Sequence, residues 1–192
     1  MIIVGLVGEA PNDTNAIKNL LSRNYQNLNF VTLLRDINGS MLDNKKLFRR
    51  ILRIEYETQN PDLIIFIRDL DALETDRDAK LKRQETFNYS NNIVDKKGIS
   101  LLHIYEIEAL IFADIDAFNK YYDCSVSKVP DPMKITEPKE ELIKATRKSV
   151  KQYSETHNSE IFNLLSFDTI KTNCRYFNTF IKDFDKAIVE IK

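Results

Sequence analysis

Apolar and polar positions fall along this chain in blocks that read as strands followed by helices. Ile2 to Val7 is a short apolar run rich in β-branched residues and closed by Gly8, and it predicts a buried strand. After Glu9-Ala10-Pro11-Asn12-Asp13-Thr14 the residues Ile17, Leu20 and Leu21 recur at helical spacing, with Asn12 or Asp13 placed to cap the helix. Asn29 to Leu34 predicts a second strand, and Gly39-Ser40 marks the loop after it. Asp43 to Thr58 predicts a helix with Leu47, Phe48, Ile51 and Leu52 on one face and Lys45, Lys46, Arg49, Arg50 and Arg53 largely on the other. Pro61-Asp62 ends it, and Leu63 to Ile67 is the clearest buried strand in the chain.

That strand delivers Arg68-Asp69-Leu70-Asp71 into a loop. Asp76 to Asn91 reads as a polar helix, Ile99 to Tyr105 as a fourth strand, and Glu106 to Phe118 as a helix carrying Ile107, Leu110, Ile111 and Ile115 on one side. Pro130, Pro132 and Pro138 keep Cys124 to Pro138 loop-like, and helical periodicity returns over Glu140 to Tyr153 and Asn173 to Ile191. Strands alternating with helices imply right-handed crossovers, hence an α/β fold with a mostly parallel sheet covered by helices on both faces. Residues 1–123 form the expected core and residues 124–192 a helical C-terminal extension packed on it. Phe162, Leu164, Leu165, Phe167, Tyr176, Phe177, Phe180 and Phe184 exceed what one amphipathic pair needs. Beyond a plain core role, they raise the expectation of an association surface in the extension.

Composition narrows the picture. With 192 residues, 43% hydrophobic and 30% charged, the chain suits one domain with an appendage rather than a disordered or low-complexity segment. A net charge of −1 argues against whole-protein attraction to nucleic acid, so any such binding needs a local basic patch. No apolar run approaches the roughly 20 residues of a membrane helix, and the N-terminus reads as a strand without a basic leader, so a cytoplasmic, membrane-free protein is expected. Cys124 and Cys174 are expected to be reduced thiols with packing roles.

In parallel α/β sheets ligands sit at the carboxyl ends of the strands. Glu9, Asp69, Asp71, Glu106 and Glu108 all follow a predicted strand within a few residues. Asp69 and Asp71 either cap the next turn or, projecting to one side of an extended segment, face each other and repel unless a cation lies between them. Glu9 at the end of the first strand tips this toward a cation. Mg²⁺ suits such oxygen donors better than zinc, because His103 and His157 are the only histidines. Glu106 and Glu108 point the same way on a strand but diverge on a helix, where acids at a helix start are an equal explanation. Arg35 and Arg68 lie nearest the proposed edge and are the candidates for phosphate contact, whereas the basic residues of the second helix are more simply a solvated face. There is no P-loop and no glycine-rich dinucleotide fingerprint, and His103, in an apolar strand, reads as a satisfied core residue rather than a triad base.

Val7-Gly8-Glu9 with Asp13 shortly after, then Asp69-Leu70-Asp71 at a later strand end, resemble the Toprim domain. This is the metal-binding α/β module of topoisomerases, primases and the overcoming-lysogenization-defect nucleases. Tyr105-Glu106-Ile107-Glu108-Ala109-Leu110-Ile111 with Asp114 is similar to the Glu-x-Glu-Ala segment of a bacterial Toprim-like family of unknown function, often encoded beside an ATPase. The resemblance spans about the first two thirds of the chain. It implies that Glu9 is the acid/base residue, that Asp69 and Asp71 hold Mg²⁺ or Mn²⁺, and that Glu106 and Glu108 are further site acids. It also implies a nuclease acting on DNA or RNA with an ATPase partner in defence against foreign DNA. The glycine that often follows the Asp-x-Asp is replaced here by Ala72-Leu73. An inert scaffold subunit, in which the extension binds the partner, and a Mg²⁺-dependent phosphatase with Asp69 as nucleophile and Asp71 as acid/base are the competing expectations. A homo-oligomer is left open.

Overall fold

The computed structural model describes residues 1–9, 11–35 and 44–191. Ala10, the predicted loop at Gly39-Ser40 and the expected helix start at Asp43 lie outside the described residues. The chain folds as β1 (Ile2–Val7), α1 (Asn12–Ser22), β2 (Leu28–Thr32), α2 (Lys45–Gln59), β3 (Leu63–Asp69), α3 (Arg77–Ile93) and β4 (Gly98–His103). Six helices follow among the described residues: α4 (Ala109–Ala113), α5 (Ile115–Tyr122), α6 (Pro138–Ala145), α7 (Asn158–Phe162), α8 (Phe167–Asn173) and α9 (Arg175–Ile191).

All four strands are parallel, in the order β2-β1-β3-β4. After β2 the chain crosses back over β1 to lay down β3 on its other side. The sheet therefore reverses its winding between β1 and β3, the position where parallel α/β sheets open a crevice at their carboxyl ends. Gly8 lies at this point. A Cβ there would stand 2.9 Å from Ile67 Cβ and 3.2 Å from the Ile67 carbonyl oxygen, so only glycine lets the end of β1 approach the end of β3 this closely.

Side chains alternate between two cores. Val4, Leu6, Leu63, Ile65, Ile67 and Leu101 face the layer that holds α1 and the C-terminal helices. Val7, Ile64 and Phe66 face Phe48, Leu52 and Tyr56 of α2 and Ile93 at the end of α3. Helices thus cover both faces of the sheet, and the C-terminal helices share one continuous core with it. Phe177, Phe180, Ile181, Phe184 and Ile188 are the buried face of α9, at the spacing of a single helical stripe.

Three local expectations are corrected. The predicted helix from Glu106 to Phe118 is broken at Asp114 (φ −131°, ψ 56°), whose carboxylate accepts the Ser166 amide at 2.6 Å. The predicted helix from Glu140 to Tyr153 stops at Ala145 because buried Thr146 donates to the Leu142 carbonyl at 3.0 Å and accepts the Tyr153 amide at 2.9 Å, turning the chain back. The helix start at Pro11 carries no side-chain cap, so neither Asn12 nor Asp13 serves as one. In the extension, Phe162, Leu165, Phe177, Phe180 and Phe184 are buried and Phe167 and Tyr176 are partly buried against the same core. Leu164 is 50% exposed, so the core takes most of the set but not all of it.

Candidate active site

The carboxyl ends of β1 and β3 and the first turn of α1 enclose a depression of about 170 Å³. Glu9, Asp13, Asp69 and Asp71 line it together with Arg68 and Arg83. The fold thus gathers the three sequence-predicted acids and adds a fourth. Asp13 is the residue that reading for strand ends misses: it enters from α1, one helical turn beyond Glu9, where the Asp13 amide donates to the Glu9 carbonyl at 3.1 Å.

Asp69 and Asp71 sit in different environments. Asp69 is the last residue of β3, and its Oδ1 is buried with no hydrogen-bond partner among the described residues. Asp71 has left the strand, with φ 57°, a left-handed conformation that aspartate tolerates better than most side chains. Its carboxylate is 65% exposed and accepts from Arg83 Nη2 at 2.7 Å. The expectation that both aspartates project alike from one extended segment is therefore corrected: the strand ends between them. Their backbones are tied to the next strand instead, the Leu70 amide donating to the His103 carbonyl at 2.9 Å and the Asp71 amide to the Tyr105 carbonyl at 3.1 Å.

The crowding of negative charge is visible in the protonation of these groups. Burial, then the charges of Glu108, Glu9 and Glu155, push Asp13 up to about 8, with Lys139 opposing. Burial, then Asp13, Glu108, Asp71 and Glu9, hold Asp69 well above the ordinary carboxylate range. Burial is the larger cause of both shifts and the neighbouring charges add to it, so a cation among these carboxylates would relieve the repulsion.

Glu108 and Glu106 part company. Glu108 is 4% exposed, and its Oε1 accepts the Tyr153 hydroxyl at 2.9 Å and Asn158 Nδ2 at 3.0 Å. Buried beneath the site, it acts on Asp13 and Asp69 through its charge. Burial and that same charge push the Tyr153 phenol up, which keeps it a donor. Glu106 lies outside the depression's lining and is held by Lys139, through the backbone amide at 3.3 Å and Nζ at 3.6 Å. Burial and Glu108 raise its pKa.

Of the two arginines expected to meet phosphate, Arg68 lines the depression. Arg35 lies instead in a neighbouring hollow of about 380 Å³, with Lys18, Asn15 and Thr14. His103 is 3% exposed, and burial lowers its pKa to about 3, so it is a neutral core imidazole. It is not the satisfied one expected, because its Nε2 has no hydrogen-bond partner among the described residues.

The donor set suits Mg²⁺ or Mn²⁺: all oxygen, with one buried carboxylate oxygen lacking a partner. Among the described residues no three His, Cys, Asp or Glu side chains stand close enough to form a finished metal cage. Mg²⁺ does not demand one, since it is commonly held by one or two carboxylates and completes its shell with water and substrate phosphate.

A parallel α/β domain with an acidic depression at its switch point is the class that fold and site define. The chain belongs to the DUF4276 family, a domain of unknown function, whose profile matches residues 9–185. No curated protein and no solved structure matches it. Among the described residues no helix is long and apolar enough to cross a membrane.

Proposed function

We propose that this protein is a Mg²⁺- or Mn²⁺-dependent phosphodiesterase acting on DNA or RNA. The observation that carries the reading is Asp69: a buried carboxylate with an unpartnered oxygen, crowded by Asp13, Glu9 and Asp71, in a depression that Arg68 and Arg83 also line. The Toprim resemblance supports the same reading. Asp69 and Asp71 would hold the metal, with Glu9 and Asp13 beside them and Glu108 and Glu106 behind as further acids. When bound, the metal supplies Lewis-acid polarisation of a phosphoryl oxygen and an activated water. Arg68 orients the phosphate. Glu9, exposed at the rim, takes the proton from the attacking water and returns it to the leaving oxygen.

On the same resemblance, the protein works in the cytoplasm with an ATPase partner in defence against foreign DNA. One observation favours the inert scaffold reading instead: Arg83 already neutralises Asp71. The two readings separate in a cleavage assay on plasmid and single-stranded substrates with Mn²⁺, with and without a candidate ATPase. Metal-dependent cleavage that Glu9→Gln reduces at least about a hundredfold, in line with the loss of a general base, and that Asp69→Asn reduces with its metal binding, supports the phosphodiesterase. Metal binding with no cleavage under any condition supports the scaffold.

A further inference from the structure

On the other side of Arg68 and Arg83 lies a second cavity, about 160 Å³, between α3 and the β3–β4 face of the sheet. Its walls are apolar: Phe48, Phe66, Phe87, Val7 and Leu102. The Phe66 and Phe87 rings meet edge to face with centroids 5.9 Å apart, and Phe87 is only partly buried. Ser90 and Thr86 donate their hydroxyls to the Thr86 and Lys82 carbonyls of α3 and Gln84 its amide to Asn88, which leaves their oxygen lone pairs, with the exposed Ser100 hydroxyl, as polar edges among the apolar walls. Three cations, Arg68, Lys80 and Arg83, also line it, and the two arginines line the carboxylate depression as well. An aromatic cleft, a few hydrogen-bonding edges and a cationic rim opening onto a phosphate-chemistry site are the recognition elements of a nucleotide.

We propose that this cleft is a base pocket: it takes one unpaired nucleobase of a single-stranded nucleic acid, while Arg68 meets the adjoining phosphate beside the carboxylates and Arg83 stays bonded to Asp71 on the same wall. The size fits one base, being well below the roughly 300 Å³ where pockets for drug-sized ligands begin. A base in a duplex is stacked and paired and cannot enter without being extruded at a cost in free energy. The ligand is therefore a single strand. A strand also explains the shared arginine wall, because its backbone continues from the base in the cleft to a phosphate in the neighbouring depression. This inference rests on the phosphodiesterase reading for what happens to that phosphate, but the binding step stands by itself.

The test is fluorescence anisotropy on the full chain without divalent metal, so that binding is read apart from cleavage. The probes are a short labelled DNA strand, an abasic backbone of the same length and the corresponding duplex, with a nucleoside monophosphate as competitor. Phe87→Ala removes the stacking face, and Ser100→Leu fills the cleft from an exposed edge-strand position that does not disturb the core. The single strand should bind roughly tenfold more tightly than duplex or abasic backbone, and each variant should lose about that factor. Equal affinity for all three probes, or wild-type affinity in Ser100→Leu, overturns the base pocket even if Phe87→Ala fails to fold. A monophosphate binding as tightly as the strand overturns the assignment to a strand. Single-strand binding that follows expectation without any metal-dependent cleavage leaves the pocket standing and removes the phosphodiesterase reading. Cleavage with unaltered strand binding in the variants does the reverse.

Discussion

Asp13 carries the clearest consequence of the crowded carboxylates. Its pKa rises from 3.8 to about 8 on folding, so between those values the folded protein holds a proton that the unfolded chain releases. Asp13's contribution to the stability of the metal-free protein is therefore full below about pH 4 and falls as pH rises toward 8, by at most roughly 1.4 kcal/mol per pH unit. Asp13→Asn should flatten this slope and raise the melting temperature at pH 8, measured by thermal denaturation in a chelator. A slope identical to wild type would show that Asp13 is not the proton holder. Tyr153 makes a second residue-level prediction: Tyr153→Phe leaves Glu108 with Asn158 as its hydroxyl-free neighbour and should cost about 1.5–3 kcal/mol in chemical denaturation. That Glu9, Asp69 and Asp71 gather at one edge of the sheet was readable from strand ends alone. Asp13 was not, because nothing in its local pattern separates a site acid from a helix cap, and Tyr153 became relevant only through a turn at Thr146 that the helical periodicity conceals.

At the scale of elements, the parallel neighbours β1, β3 and β4 were legible because runs such as Leu63 to Ile67 are buried on both faces, which leaves little room for any other assignment. The helix breaks were illegible because their causes are distant in sequence. Asp114 ends α4 where it meets the amide of Ser166, a partner no local window contains. Gly8 shows how an element end sets the site. Gly8→Ala forces a methyl to 2.9 Å from Ile67 Cβ, a contact between two packed strand ends that neither side chain can swing away from. The expected outcome is a loss of about 1–3 kcal/mol in a denaturant titration, with metal affinity reduced as Glu9 is moved away from Asp69.

For the whole molecule, the decisive feature is that the C-terminal helices share a core with the sheet. Phe177 and Phe184 are both fully buried in it, beside strand residues such as Leu63 and Leu101. Phe184→Ala should cost about 3–5 kcal/mol and lower a single calorimetric transition, rather than melt an appendage ahead of the sheet. The sequence marked that region as helical and rich in aromatics, but periodicity cannot tell a helix face that meets the sheet from one that meets a partner. We propose a cation site at the switch point of this single body, and calorimetric titration of Mn²⁺ into wild type and Asp69→Asn measures it. The predicted result is saturable binding to the wild type and at least tenfold weaker binding to the variant, whose metal-free melting temperature is little changed, because a carboxyl that burial and its neighbours keep protonated is replaced by a neutral amide of the same shape. Equal Mn²⁺ affinity in the two proteins would contradict it.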